Sequence, residues 1–224
     1  MTINILTLFP EIFGTVFSKS IIARAIDKKL LSIKLINIRS WGLGKRKTVD
    51  DKPYGGGKGM VMMAEPILLA LESIKPKPYT VLLCASGAKY NQQKARSYAR
   101  KKNLALICGH YEGIDARVEK YVDEIISIGD FILTGGEIPA MVIVDSVTRF
   151  IPGSINPESS FDESFEKGHL EYEQYTQPQI FRGIKVPPVL LSGNHSKITA
   201  WRKQQAAKRT AKFRPDLLRK RKVN

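Results

Sequence analysis

The chain has 224 residues, of which 43% are hydrophobic and 25% charged, a balance that favours a folded core over disorder. Lys and Arg number 36 against 21 Asp and Glu, and the formal charge of +15 points to a polyanionic partner. No apolar run approaches the roughly eighteen residues of a membrane span. No basic segment precedes the apolar start, which Pro10 and Glu11 interrupt, so a secretory signal is not expected and the protein reads as cytoplasmic.

Residues 3–9 read as a strand stopped by Pro10, and 11–30 as a helix with Ile12, Phe13, Val16 and Phe17 at helical spacing. Strand 33–38 is followed by a polar stretch, 39–59, long enough to suggest a functional or mobile loop. A helix after Pro66, strand 81–85, polar helix 91–102 and strands 104–108 and 122–128 follow. A helix over 137–150 tolerates Pro139 in its first turn. Alternating strands and helices imply an α/β fold, a parallel sheet with helices on both faces. Cys84 and Cys108 each close an apolar run and read as buried free thiols, not as a disulfide framework or zinc site.

Beyond Pro152 the character changes. Residues 158–173 hold six acids and only Lys167 as a base, the composition of a linker. A basic, mostly helical unit begins beyond Pro187 and Pro188. From His195 to the end, eleven Lys or Arg face one acid, Asp216, so +10 of the excess charge sits in the last thirty residues. Trp201, Phe213, Leu217 and Leu218 interleave with that charge and are expected to anchor a packed unit.

Gly55-Gly56-Gly57-Lys58-Gly59 is not a phosphate loop, because Gly59 stands where Ser or Thr is needed and no strand precedes it. The dinucleotide fingerprint is missing after the first strand. Glycine-rich turns instead follow the fourth strand (109–113) and the fifth (129–136). Such turns at strand C-termini either bind a ligand through backbone groups or simply supply positive φ. His110, His169 and His195 have no metal-site spacing and read as surface residues. Asp162 and Glu163 are candidates for proton chemistry, or merely two acids of an acidic linker.

Five collinear segments carry a family resemblance. They are Thr48-Val-Asp-Asp-Lys-Pro-Tyr-Gly-Gly-Gly57, Cys108-Gly-His-Tyr-Glu-Gly-Ile-Asp-Ala-Arg117, Ser127-Ile-Gly-Asp-Phe-Ile-Leu-Thr-Gly-Gly-Glu-Ile-Pro-Ala140, Asp145-Ser-Val-Thr-Arg-Phe-Ile-Pro-Gly153 and Val186-Pro-Pro-Val-Leu-Leu-Ser-Gly-Asn-His195. The chain resembles the bacterial tRNA (guanine-N(1))-methyltransferases from its first strand nearly to its end. The resemblance implies a deep trefoil knot on the C-terminal side of the parallel sheet, an exception to the rule against threaded chains. It implies a knotted catalytic domain over 1–157, an interdomain linker over 158–173 and a small helical tRNA-binding domain over 174–224. It further implies a homodimer, S-adenosylmethionine as methyl donor, and a tRNA substrate methylated at the guanine just 3′ of the anticodon. Cofactor contacts map onto Gly109, Tyr111, Ile128, Gly129, Asp130, Phe131, Ile132, Leu133, Gly135 and Gly136. The family is associated with a magnesium dependence, but no acidic cluster marks a site.

The chemistry assigns the remaining roles. Guanine N(1) carries a proton at neutral pH and must lose it to act as a nucleophile, a step for a positioned carboxylate. Arg149 is the candidate to stabilise charge developing on the carbonyl oxygen, and otherwise a structural ion-pair partner at a helix end. The family commonly has Glu-Asp-Ser-Phe where this chain has Asp162-Glu163-Ser164-Phe165. Alignment on Ser164 and Phe165 favours Glu163 as the base over Asp162. Two other departures are Lys58 in place of a common Pro, and Cys84-Ala85-Ser86-Gly87 in place of a common Ser-Pro-Gln-Gly. A non-catalytic RNA-binding protein would explain the basic tail equally well, but neither the glycine turns nor the Arg149 and Glu163 segments.

Overall fold

Continuous apolar runs on both faces are what a parallel sheet between two helical layers requires. In the computed structural model, which describes residues 1–156, 164–165 and 168–218, strands β1 (Thr2–Thr7), β2 (Ser32–Asn37), β5 (Tyr79–Lys89), β6 (Asn103–Cys108) and β7 (Glu124–Ser127) form that sheet. Its order is β2-β1-β6-β5-β7, all pairings parallel. The short strands β3 (Asp50–Asp51) and β4 (Val61–Met62) pair separately and antiparallel. Central β6 is buried from Leu104 to Cys108. Ile3, Ile5, Leu104, Leu106, Val81 and Leu83 pack on one face with Phe13, Tyr98, Ile143 and Val147. Leu6, Leu82, Ala105 and Ile107 pack on the other with Ile67, Ala70 and Leu71. Helices α1 (Gly14–Phe17), α2 (Ser20–Asp27), α4 (Gln92–Ala99) and α5 (Glu137–Thr148) thus cover one face and α3 (Ala64–Glu72) the other.

Several expected boundaries move. The single helix over 11–30 is a 3₁₀ turn (Pro10–Phe13) followed by α1 and α2. Lys19 is extended and Ser20 has φ +59°, so the axis is redirected between them, and Phe13, Phe17, Ile22 and Ala25 all reach one core. The stretch 39–59 is not free of structure: it holds a 3₁₀ turn (Ile38–Trp41), a Leu43–Thr48 bridge and β3. Strand β5 is longer than expected but interrupted, because Leu83 and Ala88 both face Ile126. Residues 84–87 bulge out between them. Gly87 permits the return, since a Cβ there would strike the Ile126 backbone. Cys84 therefore lies exposed, against expectation, while Cys108 is buried.

After edge strand β7 the chain runs back past the ends of β5 and β6 before α5 packs on β1 and β6. At the crossing Gly136 N donates to Gly109 O at 2.8 Å. A Cβ on Gly136 would lie 2.6 Å from Cys108 Cα and 2.9 Å from Gly109 N, both backbone atoms of the neighbouring segment.

Two compact units divide the chain, Met1–Ile155 and Asn156–Asn224. In the second, Arg182 and Gly183, both at positive φ, form the two-residue turn of a hairpin between β8 (Ile180–Phe181) and β9 (Ile184–Lys185). Helix α6 (Pro188–Leu191) precedes α7 (His195–Phe213), whose first turn is capped by Asn194, accepting from Lys197 N at 3.0 Å. The buried residues of α7 are Ala206 and Thr210. Thr210 Oγ1 accepts from Leu170 N at 2.9 Å, Glu173 pairs with Arg209 at 3.3 Å, and Trp201 lies 6.4 Å from Tyr175. Part of the acidic stretch thus packs along α7. Phe213 and Leu218, expected as anchors, are exposed: both follow Thr210, the last α7 residue bonded to the 170–175 stretch among the described residues. Among the described residues no helix is long and apolar enough to cross a membrane.

The crossing at Gly136 generates a test. Gly136→Ala is expected to destabilise the protein by about 1–3 kcal/mol through overpacking, a Tm loss of roughly 3–10 °C for a unit of this size. Gly14→Ala, at a helical position with open space around its Cβ, is expected to leave Tm unchanged or raise it. Thermal denaturation of both variants by circular dichroism checks the contrast.

Candidate functional site

All five strands are parallel, so their C-terminal ends share one edge, where ligands of open α/β sheets bind. An open cleft of about 230 Å³ lies there. Leu83, Cys84 and Ala85 of β5 line it, with the turn after β6 (109–113) and the segment from Ile126 to Gly136, except Asp130. Of the residues expected to contact a cofactor, Gly109, Tyr111, Ile128, Gly129, Phe131, Ile132, Leu133, Gly135 and Gly136 are brought together around this one cleft. Asp130 is the exception: its largely exposed carboxylate pairs with Lys89 at 2.6 Å.

The loop after β7 begins with a local turn, in which Ser127 Oγ accepts from Gly129 N at 3.2 Å and donates to Gly129 O at 3.0 Å. Beyond it Phe131 and Ile132 are 55% and 85% exposed, an apolar rim suited to being covered. The glycines are required by close approaches of the chain to itself: a Cβ on Gly129 would strike the Phe131 ring, and one on Gly135 the Glu137 carboxylate and His110. Tyr111 stands at φ +58°, edge-on to His110 at 5.1 Å.

Beneath the cleft lies a polar group that the sequence did not single out. Glu137, the first residue of α5, is buried and accepts from Thr7 Oγ1 of β1 at 2.8 Å. Its second oxygen lies 4.0 Å from His110 Nδ1, a buried atom without a hydrogen-bond partner among the described residues. His110 therefore belongs to the cleft wall and is not a plain surface residue. The available signal was the acid directly after Gly135-Gly136, where a helix N-terminus favours negative charge. Burial, then the Glu137 charge, push the Cys108 thiol well above its usual range, so it is an inert core residue.

Arg149 is the C-cap of α5 and does not line the cleft. Nine helical residues, 140–148, separate it from Pro139, which lines the cleft, roughly 15 Å of helix at the usual rise. Asp162 and Glu163 lie outside the described residues. Among the described residues no group of three His, Cys, Asp or Glu could hold a metal ion.

The chain matches the family model described as tRNA (Guanine-1)-methyltransferase TrmD over residues 1–220. It is 51% identical over 225 residues to a tRNA (guanine-N(1)-)-methyltransferase of Moorella thermoacetica, covering 97% of this chain and 90% of the relative. It is 53% identical over 224 residues to the enzyme of that name from Geobacillus kaustophilus, covering 97% and 91%. For that of Metamycoplasma arthritidis the figures are 52% over 223 residues, covering 99% and 97%. With a family model spanning nearly every residue and half the positions identical over nearly the full length of such relatives, the chain belongs to the tRNA (Guanine-1)-methyltransferase TrmD family.

Proposed function

We propose that the protein is a tRNA (guanine-N(1)-)-methyltransferase that uses S-adenosylmethionine and methylates the guanine immediately 3′ of the anticodon. The observation that carries the reading is the single cleft formed by the family's glycine-rich segments at the C-terminal edge of the sheet. Its lining fits an amphipathic cofactor without phosphates: apolar walls from Leu83, Ile126, Phe131 and Leu133, and main chain close to the surface at 109–113 and 128–136. S-adenosylmethionine supplies an electrophilic methyl group when bound.

In this reading the chain's own residues bind, orient and move one proton. The turn Gly109–Gly113 and the loop after β7 hold the cofactor through main-chain groups, with Glu137 and Thr7 fixing the floor below. A linker carboxylate, Glu163 in preference to Asp162, takes the proton from guanine N(1). The Arg149 guanidinium stabilises the charge that moves to the carbonyl oxygen. Because Arg149 stands about 15 Å along α5 from the cleft-lining Pro139, we assign it to the cleft of a second copy in a homodimer. Ile12 of the 3₁₀ turn, Val16 of α1, and Ile138 and Val142 of α5 are exposed apolar residues of neighbouring elements, and they suit such an interface. The cleft is also smaller than the ~300–1,000 Å³ usual for ligand pockets, as expected if a second copy covers it. We read the return of the chain past β5 and β6 as the family's trefoil knot, residues 158–173 as a linker between a catalytic domain and a tRNA-binding one, and the cytoplasm as the site of action. No step is assigned to magnesium.

Three measurements test this reading. Methyl transfer is expected to tRNA transcripts that carry guanine after the anticodon and to be abolished when that guanine alone is replaced; continued methylation means a different target. Single-turnover rate is expected to fall by about 10²–10⁴-fold for Glu163→Ala and far less for Asp162→Ala; the reverse order moves the base to Asp162. Native protein is expected to expose one reactive thiol, Cys84, to a disulfide reagent. S-adenosylhomocysteine should slow that reaction, and unchanged labelling places the cofactor elsewhere.

A further inference from the structure

The C-terminal arm is not the only basic surface with aromatic character. In the stretch before β4, Lys45, Arg46, Lys47, Lys52 and Lys58 are all exposed. Asp50 and Asp51 are the acids among them, so positive charge prevails. Lys47 donates to Ser40 O at 3.1 Å. Lys45, Arg46, Lys52 and Lys58 have no ion-pair partner among the described residues. Tyr54 is fully exposed. A tyrosine that buries nothing on folding gains nothing from the hydrophobic effect, so its ring is left for something else.

The local backbone explains how the ring comes to be held out. Gly55, Gly56, Gly57 and Gly59 all stand at positive φ, and nothing lies within 4 Å of a Cβ built on Gly55 or Gly56. These glycines are therefore set by chain direction, not by crowding. The turn is closed by Gly56 N donating to Pro53 O at 3.3 Å. Just after it the chain is tied to the cleft-lining turn: Glu112 N donates to Met60 O at 3.0 Å and Met62 N to Gly113 O at 2.9 Å. Gly59 touches the Glu112 side chain so closely that a Cβ would collide with it. The cations and the exposed ring are thus mounted beside the cleft.

Exposed cations around a free aromatic ring suit single-stranded nucleic acid, whose phosphates meet the charges while a base stacks on the ring. We propose that the loop from Gly44 to Gly59 is an RNA-binding surface of the catalytic unit, with Tyr54 stacking on an unpaired base of the tRNA loop and Lys45, Arg46, Lys52 and Lys58 meeting neighbouring phosphates. This inference rests on the methyltransferase reading above and names a substrate-binding element of the same site. A target base must leave its stack to be modified, and a ring beside the cleft can take the place of a stacking neighbour.

The test is steady-state methylation of a tRNA transcript together with calorimetric binding of S-adenosylmethionine. Tyr54→Ala is expected to raise KM for tRNA roughly tenfold, within the range measured for removal of base stacking, with the dissociation constant for S-adenosylmethionine unchanged. Tyr54→Phe, which keeps the ring, should recover most of that effect. The combined Lys45→Ala, Arg46→Ala and Lys52→Ala variant should flatten the dependence of log KM on log salt by about 0.7 for each phosphate no longer neutralised. An unchanged KM and salt slope, or a fall in kcat at unchanged KM, overturns the proposal. If wild-type protein itself neither binds S-adenosylmethionine nor methylates tRNA, the methyltransferase reading fails instead.

Discussion

The close passage of one chain segment over another organises the first unit. Edge strand β7 lies at the far side of the sheet from β1, yet α5, which follows it, packs on β1 and β6. The connecting residues must cross the ends of β5 and β6, and they do so with backbone against backbone, Gly136 against Cys108 and Gly109. A protein interior has no spare volume for a side chain at such a point. The glycines here serve first to let the main chain meet itself. A cleft with main chain close to its surface follows from the same crossing, and so does the burial of Glu137 where α5 begins. Thr7 from β1 then supplies the hydrogen bond that a buried carboxylate requires.

Much of this was legible from residue patterns, and the rest fails for physical reasons. Runs such as Leu104–Cys108 identify buried parallel strands whatever their neighbours. The pattern placed 109–113 and 129–136 at strand ends, and their grouping into one cofactor site came from the family resemblance. Strand order was not legible, since periodicity describes one segment and never its partner. The split of helix 11–30 depends on Ser20 adopting φ +59°, a conformation its side chain does not announce. Cys84 shows the same limit: it closes an apolar run and so reads as core, but β5 bulges at that residue. Glu137 and His110 were overlooked because a lone acid and a lone histidine acquire meaning only when the fold sets them 4.0 Å apart. Arg149 shows the converse: its motif marked it for the site, but helix length carries it away from the cleft of its own chain.

Charge and apolar surface are divided between the cleft and its surroundings, and the division has a mechanistic logic. The described cleft walls are mainly apolar side chains and glycine main chain, with Glu112 and His110 among the polar residues that line them. In the first unit the cations sit outside the cleft, on the stretch before β4, and the second unit carries its own on α7. Attraction to a polyanion acts over about 8–10 Å at physiological salt, so peripheral charge suffices to capture RNA. Charge within the cleft would instead compete with the few hydrogen bonds that orient a reacting base. Non-specific affinity and chemical selectivity are thereby supplied by different residues, and salt weakens the first without touching the second. In the proposed reaction two protein charges must still reach the base, the linker carboxylate that takes the guanine proton and the Arg149 guanidinium of a second copy, and both come from segments of the sequence other than those that line the described cleft.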